Sequence, residues 1–244
     1  MTATSLTVRA RALWESLAAT PVEFAPAVAV AVSPGSRLCP PGWTGIVVID
    51  GAAIATAPEP GTARDVQHAL HGLPAVSLTD AGLLSGRLRI AQVLGPAALA
   101  YLEPAEFRSP HGPAVIDRLD PRDPGLGQFL AGADPADVGE SGMREITSPA
   151  FAVREHGQIA AVAGYCDWPH RTAHLCVLTA APARGRGLAR AAAAAAVGHA
   201  IGQGRLPQWR ARVEPSRRVA RALGFRELGS QLAIRVSAGP LARS

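Results

Sequence analysis

The sequence predicts an α+β (mixed α/β) protein, with a mixed sheet flanked by helices in its C-terminal half and an α/β lobe ahead of it. Three observations lead there. The 244 residues are 48% hydrophobic and 18% charged, which suits a sizeable core and excludes wholesale disorder. Two turn dipeptides, Asp50-Gly51 and His156-Gly157, lie between apolar runs and mark β-hairpins. Beyond the second hairpin, residues 173–236 alternate short apolar strands with helical stretches closed by glycines.

Each element has its own signal. Residues 6–19 place Leu6, Ala10, Leu13 and Leu17 on one helical face, and 22–32 alternate loosely as a strand does. Residues 46–57 form the first hairpin, 65–71 a short helix, and 88–102 mix strand-like and helical runs. Four prolines and three glycines interrupt 108–127, which places a boundary between a lobe at 1–110 and a domain at 111–244. One or two short helices follow at 129–143, the second hairpin at 150–168 and a strand at 173–179. Residues 187–201 are helical and end at Gly202 and Gly204; 206–213 are a strand. Ser216 is expected to cap a helix at 216–223 stopped by Gly224, and 225–236 close as strand. The two hairpins hint at a distant internal repeat, although their flanking spacings do not match.

Composition excludes several classes. The most apolar run, 24–32, is about half the roughly 20 residues of a spanning helix. Arg9, Arg11 and Glu15 precede any apolar run, unlike a secretory signal. All 24 basic residues are arginine, so no catalytic lysine exists. Cys39, Cys166 and Cys176 lack metal-ligand spacing, so no metal is expected, and sparse unpaired cysteine suits a reducing cytoplasm. Charge is uneven: 184–226 hold ten arginines and one acid, Glu214. Such a cluster fits a solvated face, a nucleic acid, or a small polyanion such as a nucleotide or coenzyme A.

Local sequence chooses among these. After the apolar 173–179, Arg184-Gly185-Arg186-Gly187 opens an alanine-rich helix. Glycine at such a start costs roughly 1 kcal/mol against alanine, yet lets an anion approach free backbone N–H groups. A dinucleotide site would need G-x-G-x-x-G, and 185–190 read G-R-G-L-A-R with no acid in the next strand. A phosphate-binding P-loop would need a lysine. What fits is R-x-x-G-x-A at 184–189, directly after a strand.

This stretch resembles the acetyl-coenzyme A signature of the GNAT superfamily of N-acyltransferases. The resemblance extends over about 112–236, in a family order of two helices, hairpin, strand, signature helix, strand, short helix and final hairpin. A second hallmark, a short helix running into Leu-Gly-Phe, matches 216–229. The resemblance implies a GNAT-like mixed sheet and transfer of an acetyl group from acetyl-CoA to an amine, by direct attack on the thioester. It implies no nucleic acid or membrane partner and a small-molecule or peptide amine as acceptor. The main chain of Val177, Leu178 and Thr179 would pair with the pantetheine arm. The N–H groups of Arg184, Gly185, Arg186, Gly187, Leu188 and Ala189 would cradle the pyrophosphate. Ser216 and Arg217 would add coenzyme contacts, and Phe225 would pack near the thiol. A non-catalytic acyl-CoA-binding protein on the same fold is the rival reading, because the sequence departs from the family: Val213 replaces a common Asn, Ala220 a Tyr that serves as acid, and Ala173 a carboxylate.

The chemistry still needs a base, since an aliphatic ammonium has a pKa near ~10. Glu140, Glu145, Asp167 and His174 are the base candidates, His174 equally readable as a packed ring. Tyr165 or Cys176 would reprotonate the thiolate, and a backbone N–H near Leu178 or Thr179 would polarise the carbonyl. Residues 111–145 hold seven acids against three arginines, an acidic wall suited to a cationic amine or simply a soluble surface. Residues 1–110, as a degenerate lobe without a signature helix, are expected to dock on the C-terminal half and shape its acceptor cleft.

Overall fold

The structure, a computed structural model, describes residues 5–110 and 115–237. In chain order they form α1 (Leu6–Leu17), β1 (Val30–Val32), β2 (Thr44–Ile49), β3 (Ala52–Ala57), α2 (Pro60–Leu70), α3 (Ala81–Ser85) and β4 (Ile90–Tyr101). Next come β5 (Ile116–Leu119), α4 (Pro124–Gly132), α5 (Pro135–Ser141), β6 (Ala150–Glu155), β7 (Gln158–Trp168) and β8 (Thr172–Thr179). The last four are α6 (Leu188–Gly202), β9 (Leu206–Ala211), α7 (Glu214–Ala222) and β10 (Arg226–Val236). The fold is mixed α+β, as the sequence predicts. No helix of the described residues is long and apolar enough to cross a membrane.

The chain divides into two compact units, and the division is not a single cut. One unit holds 1–99, 211–213 and 227–244; the other holds 100–210 and 214–226. The sequence reading cut the chain once, at 110/111, inside the segment whose residues 111–114 lie outside the described residues. The closing strand β10 belongs with the first unit, where it pairs antiparallel with β2 from Gly229↔Ile49 to Ile234↔Thr44.

In the first unit the strand order is β1-β3-β2-β10-β4. The β2–β3 hairpin turns at Asp50 and Gly51, both at positive φ (47° and 73°), the conformation that the Asp-Gly signal encodes. Every residue of β2 and β3 is buried. Ile46, Val48, Leu232 and Ile234 pack with Val66 and Leu70 of α2 and with Leu84 of α3. Ser5 caps α1 by accepting from the Val8 N–H, and Leu13, Trp14 and Leu17 are its buried face. The strand expected over 22–32 is confined to Val30–Val32, with Ala25 forming a lone bridge to Ala53. The ambiguous 88–102 is one 12-residue strand, β4.

The second unit has the order β9-β8-β7-β6-β5. Its hairpin turns at His156 (φ 51°) and Gly157 (φ 80°). The proline-rich 108–127, read as a linker, contains β5 on the edge of β6 and the start of α4. One of its prolines, Pro124, begins a helix rather than breaking one. Asp123 accepts from the Gly125 and Leu126 N–H groups with Pro124 at the first helical position, and Asp134 caps α5 ahead of Pro135 in the same way. One sheet face carries α6, whose alanines 192–194, 196 and 200 are buried. The other face packs Val162, Cys166, Cys176 and Leu178 against Leu126, Leu130, Val138 and Met143 of the α4–α5 region. The segment after β9 closes as the single strand β10, not the final hairpin of the family order.

Candidate functional site

The parallel strands β8 and β9 form a fork. They pair only at Thr172↔Leu206, Ala173↔Pro207 and His174↔Gln208. Beyond His174 they part, so Leu175–Thr179 has no strand partner on its β9 side, an edge of about 17 Å at strand rise. Val177, Leu178 and Thr179, the residues assigned to the pantetheine arm, lie on that edge.

The edge leads into the glycine loop ahead of α6. Residues Ala181–Ala183 make one 3₁₀ turn, and Gly187, at φ 81°, precedes α6 without any side-chain cap. The N–H groups of the first helical turn, starting at Leu188 and Ala189, therefore lack a capping acceptor, and the helix dipole adds positive potential there. Gly185 (φ 76°) and Gly187 both occupy the left-handed region that disfavours other residues, and space around both is open to 4 Å. Arg184 pairs with Asp137 at 2.5 Å and Arg186 with Glu155 at 2.6 Å. Both arginines are exposed, so each pair contributes little. A cleft of about 510 Å³ joins these parts, lined by Phe129, Asp134, Asp137, Leu178, Thr179 and Arg184 among others.

At the vertex His174 is held on two sides. Its ring stacks flat on Trp168 (centroids 4.0 Å apart, 10° between planes), and its Nδ1 bonds the Gln208 Oε1 at 2.5 Å. Because an amide oxygen only accepts, Nδ1 carries the hydrogen. Burial, then the nearby Arg210 guanidinium, push the imidazole down to about 3, against a smaller upward effect of the Gln208 bond. A base that weak cannot hold a proton taken from an ammonium. His174 is therefore corrected from general base to packed, neutral ring.

The other candidates separate. Glu145 sits in the short turn Met143–Glu145 after α5, its carbonyl accepting from Cys166 Sγ at 3.1 Å, and its carboxylate field reaches Cys176 on β8 and Arg210. Glu140 is exposed on α5. Tyr165 pairs with Leu175, so it faces α6, on the opposite side of the sheet from His174 and Cys176. Its hydroxyl bonds His199 Nδ1 at 3.0 Å, and burial raises its pKa. The candidates thus fall on two faces, His174 and Cys176 with Glu145's field on one, Tyr165 and Asp167 on the other. Cys176 is buried with its thiol pushed up chiefly by its contact with Cys166, which makes it a poor proton source. Asp167 pairs with Arg205 at 2.9 Å.

In α7 the expected cap is corrected. The helix starts at Glu214, and the Ser216 hydroxyl accepts from the Trp209 indole N–H at 3.0 Å. Arg217 lies 3.7 Å from Glu214, and Phe225 packs edge-on against Trp209. Of the acids at 111–145, Asp123 and Asp134 cap helices, Asp117 pairs with Arg154 at 2.7 Å and Asp137 pairs with Arg184, while Asp134 and Asp137 line the cleft. Sequence reasoning missed Gln208 and Glu155, and placed Asp137 only among the acids of 111–145; a glutamine within the short strand β9 was the one available signal for Gln208. Among the described residues, no group of three or more His, Cys, Asp or Glu is placed to hold a metal ion.

Residues 149–230 match the sequence profile of a family described as GNAT acetyltransferase. They bracket the second hairpin, the fork, the glycine loop and α7, so the GNAT resemblance holds over that segment. No curated protein sequence matches the chain. Among solved structures, the chain is similar to a GNAT-family protein from Novosphingobium aromaticivorans (23% identity, 60% of this chain and 65% of that one, TM-score 0.46). It is also similar to a GCN5-related N-acetyltransferase from Kribbella flavida (20%, 66% and 64%, TM-score 0.48). YncA of Salmonella typhimurium, solved with its cofactor acetyl-CoA, is similar at 16% identity over 55% of this chain and 99% of that one, TM-score 0.38. The chain thus spans less than two thirds of the length of the first two.

Proposed function

We propose that the protein is an acetyl-CoA-dependent N-acetyltransferase whose catalytic domain lies within 111–244. The observation that carries this reading is the fork whose free β8 edge runs into an uncapped helix start flanked by two arginines. The residues present fit the coenzyme. The loop offers free N–H groups, open space at both glycines, and exposed guanidinium groups, Arg184 paired with Asp137 and bonded to the Thr179 carbonyl, Arg186 paired with Glu155.

In this reading, the first turn of α6 with Arg184 and Arg186 holds the pyrophosphate, and the main chain of Val177–Thr179 holds the pantetheine arm. When bound, the coenzyme supplies an activated thioester. The β8 edge would fix its carbonyl carbon for attack by the amine: a C–N bond forms, the C–S bond breaks, and the second proton leaving the nitrogen goes to the departing thiolate, which leaves as coenzyme A. With His174 removed as base, Glu145 is the carboxylate whose field reaches β8, and it takes the ammonium proton directly or through water. The acceptor is a small-molecule or peptide amine, and the three free cysteines fit a cytoplasmic setting.

The missing base and acid at Ala173 and Ala220 favour one rival, a non-catalytic acyl-CoA-binding protein. Thiol release from acetyl-CoA across a panel of amines separates the two. The enzyme reading expects turnover with at least one amine class and a loss of roughly 10²-fold in Glu145→Gln. Tight acetyl-CoA binding with no release for any amine would leave the rival in possession.

A further inference from the structure

Gln208 stands at the vertex of the fork with half of its amide unused. It is the last β9 residue paired to β8 and is completely buried. Its Oε1 accepts from His174, while its Nε2 has no hydrogen-bond partner. Buried polar groups without partners are rare in native proteins, because each forfeits its bonds to water. One retained in place asks what it serves.

Its position supplies a use. A ligand arm paired with the free β8 edge can run only as far as His174, because from there β8 is bonded to β9. The end of the arm distant from the glycine loop therefore stops at the vertex, beside Gln208. The amide is also oriented. The His174 ring is pinned by its stack on Trp168, and the Gln208 Oε1 lies on its Nδ1. In that arrangement the NH₂ end is the group turned away from His174.

We propose that the Gln208 Nε2–H₂ group donates a hydrogen bond to the thioester carbonyl of the bound acyl-coenzyme, with His174 as the residue that positions it. The carbonyl completes the orphaned donor, and the same bond strengthens as negative charge develops on that oxygen during attack. The assignment rests on the coenzyme reading above. It moves carbonyl polarisation from Leu178 and Thr179, near the phosphate end of the edge, to the vertex.

Coenzyme A lacks the carbonyl and acetyl-CoA has it, so the pair isolates this contact. Calorimetry of the full chain with each ligand is expected to give a preference for acetyl-CoA. In Gln208→Met, of similar shape but without a donor, acetyl-CoA should bind roughly 5-fold more weakly while coenzyme A is unchanged. His174→Phe, which keeps the stack and drops the bond, should lower the same ratio. Gln208→Glu keeps an acceptor for His174 but puts a carboxyl oxygen where the N–H₂ donor was, and should also abolish the preference. An unchanged ratio in Gln208→Met overturns the proposal. So does equal loss of both ligands in Gln208→Met and Gln208→Glu, which would make Gln208 structural. Failure of the wild type to bind either ligand is a different result and overturns the coenzyme reading itself.

Discussion

His174 draws its state from its surroundings. Free in solution an imidazole titrates near 6.5, and here burial and Arg210 bring it to about 3. The unfolded chain therefore binds this proton at a pH where the folded chain does not. The stability contributed is fully present above pH 6.5 and is lost progressively as pH falls toward 3. Moving from pH 7 to pH 4 should remove about 3 kcal/mol through this residue. Urea unfolding of wild type and His174→Phe at both pH values checks this. The wild type should lose about that much more than the variant; equal losses would mean that the ring is not held neutral. The same residue marks a limit of sequence reading. One histidine on an apolar strand is equally a base or a packed ring, and only the Trp168 stack and the Gln208 bond decide it. By contrast, the Arg184–Gly187 run was legible as a helix start, because glycine accepts the left-handed backbone that precedes α6.

Elements were legible where local chemistry dictates conformation. Both hairpins turn where Asp50-Gly51 and His156-Gly157 place them, because those pairs tolerate positive φ. The helices expected over 129–143 are α4 and α5, but the start of α4 was hidden by the residues that build it. Asp123-Pro124 fell in the stretch read as a linker, yet it is a cap followed by a first-turn proline, as Asp134-Pro135 is for α5. The fork was invisible for another reason: where parallel strands separate is a matter of long-range register. Close strand approach likewise leaves a trace only in a small residue. Gly229 of β10 faces β2 so closely that an added Cβ would lie 1.8 Å from the Val48 carbonyl oxygen. Because that neighbour is backbone, it cannot swing aside. Gly229→Ala is expected to destabilise by about 3 kcal/mol through forced displacement of the strands. A thermal or urea midpoint equal to wild type would show that β10 and β2 are not so tightly joined.

At the scale of the whole molecule, the chain is laid out as two units that a single cut does not separate. Strand β10, at the end of the sequence, completes the sheet of the N-terminal unit through Gly229–Ile234. Composition signalled an apolar N-terminal region that needs a core, but nothing local announced that its sheet is finished by residues some 180 positions later. The second unit keeps the fork, the loop and α6 within 100–210, so the proposed coenzyme site rests on one contiguous stretch. The most direct test of that site is calorimetry with coenzyme A on the wild type, Gly187→Ala and Gly187→Glu. Both variants carry the same left-handed backbone strain, about 1 kcal/mol, but only glutamate brings a negative charge to the helix start. The account predicts binding by the wild type, retained binding by Gly187→Ala, and none by Gly187→Glu. Undiminished binding by Gly187→Glu would contradict it.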